Sequence, residues 1–464
     1  MKRIPLAFAL CMVCLHALGQ DELLTLNEYL AAIKRYHPIA LQAGLNTDKA
    51  RYTRREAIGG FDPKLEVNRE QKVFGGISYY DYVTPEIKLP LWYGIDLKGS
   101  YTNYDGYYVN SENKVPKEGL SYLGVSLSLG RGLLIDERRA ALKRAAIYQN
   151  IAANEQRQML NDLFVNATHT YAEWLNAWLN TKVYERAVDL ALVRLEGVNL
   201  LYKNGDRPAI DTLEALTLLQ SRQQKLTEYQ NLVLNKKNEL AAYLWLDNLK
   251  PADPKKLKIK PDTSLLKMAV SDSLLLKEPA AVYAQNPDVK AYMFKIDQLN
   301  IERKLKLEEV KPIFNVNIGV LNSGGALFNN LNSNWLQNNQ KFGFTIAMPL
   351  TFTKQRAAYS LSKIKIKEAE YYLLDKQNLI TVKWNNYRNE FMNLEKQILI
   401  NNAIQNNNRT LLTGEETKFK MGESSLFLVN SREQKVLDTQ EKLNEIYTKR
   451  FKTIQYLNWL TNNW

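Results

Sequence analysis

The sequence predicts an internally duplicated α+β membrane protein, with long α-helical hairpins forming a coiled-coil barrel and strands that contribute to a transmembrane β-barrel shared between copies. Three observations predict it. The prolines leave two very long gaps, a glycine turn interrupts the helical pattern within each gap, and a segment of apolar–polar alternation stands close to the start of each.

A composition of 45% hydrophobic and 24% charged residues over 464 positions is that of a folded chain with a sizeable core and argues against disorder. Lys2 and Arg3 form a basic start, Ile4 to Leu18 is apolar but too short for a membrane span, and Ala17-Leu18-Gly19 closes the segment with small residues. This pattern predicts a cleaved signal peptide over residues 1–19. Cys11 and Cys14, the only cysteines, fall inside it, so the mature chain has neither disulfides nor thiolate chemistry. Beyond Gln20 no run approaches the roughly 18 consecutive apolar residues of a spanning helix, so any membrane crossing has to be a closed barrel. The formal charge of +13 is spread along helix faces with no basic block interleaved with aromatics, which predicts a solvated surface and no nucleic-acid partner.

The first repeat is placed over residues 20–246, a linker over 247–271 and the second repeat over 272–464. Each opens with a shorter helix, about residues 24–60 and 273–310. Strands follow within about 63–130 and 312–351. Pro63-Lys-Leu-Glu-Val67 and Pro312-Ile-Phe-Asn-Val316 read as one matched pair, and the alternating runs Leu123 to Leu129 and Phe342 to Met348 as another. Such strands suit either a barrel wall between lipid and water or an ordinary half-buried sheet. Four clear strands are too few to close a water-filled barrel, so a barrel would need several copies.

Long helices come next. Prolines are absent between Pro116 and Pro208 and after Pro349, and proline costs roughly 3 kcal/mol inside a helix. Leu163, Ala167, Tyr171, Trp174 and Trp178 recur at helical spacing, as do Tyr387, Phe391, Leu394 and Ile398. The glycines in Tyr202-Lys-Asn-Gly205-Asp-Arg-Pro208 and Phe419-Lys-Met-Gly422-Glu-Ser-Ser425 read as hairpin turns, with tips near 205 and 422. The two tips align at one offset: Lys203 meets Lys420, Gly205 meets Gly422 and Lys225-Leu226 meets Lys442-Leu443. The chain is therefore read as a duplication.

Between its strands the first half carries extra residues rich in tyrosine, among them Tyr79, Tyr80, Tyr82, Tyr93, Tyr101, Tyr104, Tyr107 and Tyr108. They form either an added strand pair or a longer extracellular loop. The asparagine-rich run from Asn401 to Asn408 either lines a tunnel or lies on exposed helix surface. His37 and His169 have no spaced partner for a metal site or a catalytic triad, so no metal, cofactor or enzyme activity is expected.

Taken together, the signal peptide, the Leu24-Thr-Leu26 start running to His37-Pro38, the duplicated strand pairs and the Gly-x-x-Pro/Ser tips resemble the TolC-like outer-membrane efflux proteins across the mature chain. The resemblance implies a homotrimer whose three subunits build one β-barrel in outer-membrane lipid, continued by an α-helical tunnel through the periplasm of a Gram-negative-type bacterium. It implies a function as exit duct of a tripartite efflux or type I secretion system, with a periplasmic adaptor and an inner-membrane pump as partners. Adaptor docking falls on Asn204, Gly205, Asp206, Met421, Gly422 and Glu423. Family members that gate by a carboxylate ring place it six and nine positions after the second-half glycine, where this chain has Leu428 and Ser431. Their first-half equivalents, Asp211 and Glu214, are either a displaced acidic ring or carboxylates stabilised by a helix start. The competing function is a non-conducting periplasmic coiled-coil scaffold or adhesin.

Overall fold

A computed structural model describes residues 22–105, 115–267, 271–324 and 339–462. The expected signal peptide, both cysteines, Tyr107 and Tyr108 lie outside the described residues. In chain order the elements are β1 (Glu22–Leu24), α1 (Leu26–Tyr36), α2 (Pro38–Gly59), β2 (Lys64–Phe74), β3 (Ile77–Pro90), β4 (Ile95–Asp105), β5 (Leu120–Ser128), α3 (Glu137–Lys203) and α4 (Ala209–Ala241). Then follow β6 (Ile259–Pro261), α5 (Asp272–Leu275), α6 (Pro279–Gln285), α7 (Pro287–Glu309), β7 (Ile313–Ser323), β8 (Gln340–Ala347), α8 (Thr353–Lys420) and α9 (Leu426–Thr461). At 1.5 Å per residue α3 and α8 are each about 100 Å long. No described helix is long and apolar enough to cross a membrane.

Contacts divide the chain into two units. One comprises the described residues of Met1–Gly44, Gln156–Pro287 and Gln377–Trp464, the other Leu45–Glu155 and Asp288–Lys376.

The first unit is helical, with an aromatic core of Tyr29, Tyr171, Trp174 and Phe451 packed with Ile33, Leu240 and Leu244. α1 starts at a capping box, Thr25 with Glu28, which satisfies two end donors at once. The linker is more than a tether: its β6 pairs in parallel with β1, and Ala252, Leu257 and Ile259 pack on the aromatic core. One hydroxyl ties these parts together. Tyr171 Oη donates to Leu24 O and accepts from Asp262 N at 2.8 Å. Helices from the two halves interleave, as Asn161 Nδ2 on α3 donates to Trp459 O on α9 at 2.8 Å and Asn444 on α9 donates to Asn180 on α3 at 2.7 Å.

The two shorter helices read as continuous are in fact broken. His37 and Asn286 adopt extended backbone, with ψ of 131° and 129°. Each precedes a proline, whose ring disfavours helical geometry in the residue before it. Asn286 Nδ2 then donates to Leu460 O at 3.2 Å, and His37 lies against Tyr243 and Trp245.

The asparagine-rich run is divided, with Asn406 and Asn407 on exposed helix surface and other amides turned to the neighbouring helix. Asn402 and Asn408 donate to Tyr447 Oη and Thr439 Oγ1 on α9, at 3.2 and 2.9 Å, and the side-chain amides of Gln405 and Gln440 meet at 3.1 Å. The seam between α8 and α9 is thus polar there, because the amides at every third position face the partner arm.

The second unit carries a six-stranded antiparallel sheet in the order β2-β3-β4-β5-β7-β8. Six strands replace the four expected. The added pair is β3 and β4, so the tyrosine-rich insertion is a hairpin within the sheet. β2 and β3 join through Gly75 and Gly76, both with φ > 0, as the tight turn requires.

His169 lies edge-on to Tyr456 at 4.3 Å. Burial pushes its pKa down to about 4, and the nearby Lys452 ammonium adds to the effect. The unfolded chain therefore takes up this proton first, and stability falls as pH drops from about 6.5 to about 4. Replacing His169 with Gln is expected to reduce the loss of thermal midpoint between about pH 7 and pH 5, measured by circular dichroism. An unchanged pH dependence would refute a buried neutral imidazole.

Candidate functional site

The sheet offers a surface with two chemically distinct faces. Because side chains alternate, the strand register assigns each residue to a face. Leu65, Val67, Val83, Ile87, Leu97, Leu123, Val125, Val316, Ile318, Phe342, Phe344 and Ile346 fall on one. Lys64, Glu66, Asn68, Thr84, Glu86, Lys98, Ser100, Ser126, Asn315, Asn317 and Thr345 fall on the other. The apolar face is uncovered by the chain itself: Leu65 is 73% exposed and Phe342 66%. In water so large an apolar surface marks a contact site.

Aromatic rings stand at both ends of the strands, as at the two rims of a membrane wall. At the Gly75–Gly76 end Tyr82 stacks on Tyr104 at 5.4 Å, and the hydroxyls of Tyr80 and Tyr82 both donate to Glu70. At the opposite end Trp92 stacks on Phe61 at 5.4 Å. Between them the Tyr122 side chain lies over Gly124 and Gly319, where an added Cβ would collide with its hydroxyl and its ring. Both glycines are required by that ring.

The helix tips form the second candidate surface. Both turns close in one way: Asp206 N donates to Leu201 O and Gly205 N to Tyr202 O, while Glu423 N donates to Lys418 O and Gly422 N to Phe419 O. This double bond pattern, with glycine φ of 83° and 79°, satisfies the last carbonyls of each long helix. Asn204, Gly205, Asp206, Met421, Gly422 and Glu423 are all exposed.

The four candidate gate positions differ in their surroundings. Leu428 and Ser431 are exposed, and Ser425 caps α9 by accepting from Leu428 N at 3.3 Å. Asp211 lies 4.0 Å from Arg207, and Glu214 accepts from Asn430 Nδ2 at 3.0 Å. Both first-half carboxylates therefore have partners inside one chain.

The strongest charge pair near the tips was not legible from spacing. Arg194 of α3 binds Glu433 of α9 and donates to Asn430 at 3.2 Å. Glu433 is only 4% exposed. Arg194 stands among Leu192 and Leu195 of an apolar stripe, and nothing local points to a partner more than 200 positions away. A few turns on, Arg222 is 2% exposed and donates to Gln434. Among the described residues no group of three His, Cys, Asp or Glu side chains is placed to hold a metal.

Several solved structures match nearly the whole chain. The outer membrane protein VceC from the bacterial pathogen Vibrio cholerae aligns with a TM-score of 0.65 at 15% identity, over 94% of this chain and 96% of that one. The outer-membrane channel OprN gives 0.65 at 12%, over 95% and 90%. The Campylobacter jejuni CmeC outer membrane channel gives 0.61 at 13%, over 97% and 91%. This chain has the TolC-like channel fold. No protein-family model and no curated protein sequence matches it. The likeness therefore lies in the fold, while most residues differ.

Removing Arg194 would leave Glu433 as a buried charge without its cation. Such a loss typically costs about 3–5 kcal/mol. Arg194→Ala is expected to lower the thermal midpoint and to raise amide hydrogen exchange at the start of α9, while Arg194→Ala with Glu433→Leu recovers most of the stability. Equal destabilisation by the single and double variants would show that the pair is not coupled.

Proposed function

We propose that copies of this chain assemble into an outer-membrane channel, the exit duct of an export machine that passes cargo from the periplasmic side to the exterior. The observation that carries this reading is the sheet. One of its faces is apolar and exposed, the other is polar, and both outer strands leave backbone groups unpaired. A wall between lipid and water needs this pairing of faces, and only a closed barrel satisfies the backbone in hydrocarbon.

On this reading three copies share one barrel, the number the TolC-like resemblance implies. Exposed apolar residues along the long helices, among them Val193, Leu200, Ile364, Leu399 and Ile400, support packing of helices between copies into a tunnel. Residues 20–246 and 272–464 act as two copies of one unit joined by 247–271. The six exposed tip residues dock a periplasmic adaptor, which brings the inner-membrane pump of a tripartite efflux or type I secretion system. Leu428, Ser431, Asp211 and Glu214 line the periplasmic constriction. With Leu428 and Ser431 uncharged, that constriction selects by size and provides no second-half ring for cations. The duct has no catalytic site, no cofactor and no nucleic-acid partner, and localises to the outer membrane of a Gram-negative-type bacterium.

The test is extraction. The protein should leave the outer membrane only with detergent, as a heat-sensitive oligomer with measurable conductance in planar bilayers; a soluble monomer without conductance would favour a periplasmic scaffold or adhesin. Arginine placed at the middle of a lipid-facing strand costs about 2–4 kcal/mol. Val125→Arg on the apolar face is accordingly expected to abolish the oligomer, while Ser126→Arg, one position along on the polar face, leaves it intact and alters conductance. A second check separates the tips from the wall. Asp206→Lys with Glu423→Lys should preserve conductance and lower export in cells, and undiminished export would remove the tips from adaptor docking.

A further inference from the structure

The register assigns the tyrosines near the Gly75–Gly76 turn to a face. Tyr82 lies opposite Glu70, Tyr104 opposite Tyr82, and Tyr80 opposite Lys72. These positions alternate in step with Asn68, Thr84 and Glu86, so all three rings belong to the polar face. An interfacial belt belongs on the lipid side of a membrane wall and does not account for them.

The cluster has a defined shape. The Tyr82 and Tyr104 rings are 5.4 Å apart with an interplanar angle of 10°, and the Tyr80 ring lies 6.0 Å from the first and 6.3 Å from the second. Tyr80 and Tyr82 both donate their hydroxyls to the Glu70 carboxylate, which is exposed. Three rings and one carboxylate are thereby gathered on β2, β3 and β4.

The chain supplies no cation to this carboxylate. Among the described residues Glu70 is in no ion pair. Arg69 falls on the other face and donates to both oxygens of Asp81, at 3.2 and 2.8 Å. The Lys72 ammonium lies 5.1 Å from the centroid of the Tyr79 ring. The cluster also occurs only once. β7 repeats β2 with Pro312 in the place of Pro63, which puts Gly319 where β2 has Glu70, and β3 and β4 have no counterpart in the second half.

Shape and charge together select a ligand class. A carboxylate beside aromatic faces attracts cations, and the rings favour those with an apolar skirt. Two hydroxyls already occupy part of the acceptor capacity of Glu70, which suits a cation that brings no N–H donors of its own. A hydrated metal ion needs several hard oxygen ligands and finds one carboxylate here. The same face shows a cation over a ring once already, with Lys341 Nζ 5.7 Å from the centroid of the Tyr122 ring.

We infer that Glu70, Tyr80, Tyr82 and Tyr104 form a binding site for quaternary ammonium and similar organic cations on the polar face of the sheet. Its place at the outer mouth of a lumen rests on the channel reading above: α2 leads into β2, and the Gly75–Gly76 turn is at the far end of that strand.

Tetraethylammonium is the probe, titrated against the purified protein in detergent and read by saturation-transfer NMR. Saturable binding is expected with a Kd on the order of 1–10 mM. Glu70→Gln, a change of charge at nearly constant size, and Tyr82→Leu with Tyr104→Leu should each raise that Kd about fivefold or more. Tyr82→Phe with Tyr104→Phe keeps both rings, and Glu66→Gln removes a carboxylate from the same face four residues away; each should leave the Kd within about twofold. Wild-type binding no tighter than that of Glu70→Gln overturns the site. An equal loss in Glu66→Gln would assign the binding to the general charge of the face and overturn it as well. Conductance in planar bilayers separates the two readings. A protein that conducts without Glu70-dependent binding overturns the site and leaves the channel, whereas Glu70-dependent binding by a protein that never conducts overturns the channel and leaves the site on the sheet.

Discussion

A peptide N–H or C=O left without a partner in hydrocarbon costs several kcal/mol. Much in this chain follows from meeting that demand with strands instead of an apolar helix. The six strands pair with their neighbours along most of their lengths, and the outer edges of β2 and β8 have no partner strand among the described residues. In the proposed channel one face meets lipid and the other water, and the alternation of Leu65, Val67 and Ile87 with Glu66, Asn68 and Glu86 suits that division. The same alternation accounts for the glycines under Tyr122, since a ring lying flat across two strands leaves no room for side chains beneath it.

Duplication runs through the architecture at several scales. The two hairpin tips close with the same pair of backbone hydrogen bonds. The two N-terminal helical segments break at His37 and Asn286, each before a proline. Yet the halves are not interchangeable. The first gained a hairpin in the sheet, and the second has uncharged residues where the first has Asp211 and Glu214. The halves share helix lengths and turn geometry, while individual side chains at the tips differ between them.

The helical unit is held by polar pins set into apolar seams. Tyr171 joins β1, the linker and α3 through a single hydroxyl. Arg194 with Glu433, and Asn180 with Asn444, connect α3 to α9 across the two halves. Leucine and alanine seams allow long helices to slide in register by a turn at little cost. A buried hydrogen-bonded pair does not, since a slip would strand each partner unsatisfied.

How much of this was legible beforehand divides along the range of the forces involved. Helix content, the tip glycines and the alternating strands were all readable, because proline exclusion, φ > 0 turns and period-two patterning are properties of a few consecutive residues. The tyrosine-rich insertion was visible as a segment, but its form was not: Tyr80, Tyr82 and Tyr104 suit a loop as well as a strand, and only pairing with β2 and β5 makes them strands. The asparagine run was legible only in part for a similar reason: Asn406 and Asn407 are exposed, but Asn402 and Asn408 look solvated until Tyr447 and Thr439 are placed against them. By itself, then, the sequence determined the long helices, their tip turns and the four alternating strands. The tertiary structure alone decided strand order, the six-strand count and the Arg194–Glu433 pair, because the choice of partner between segments far apart in the chain depends on packing that local spacing does not encode.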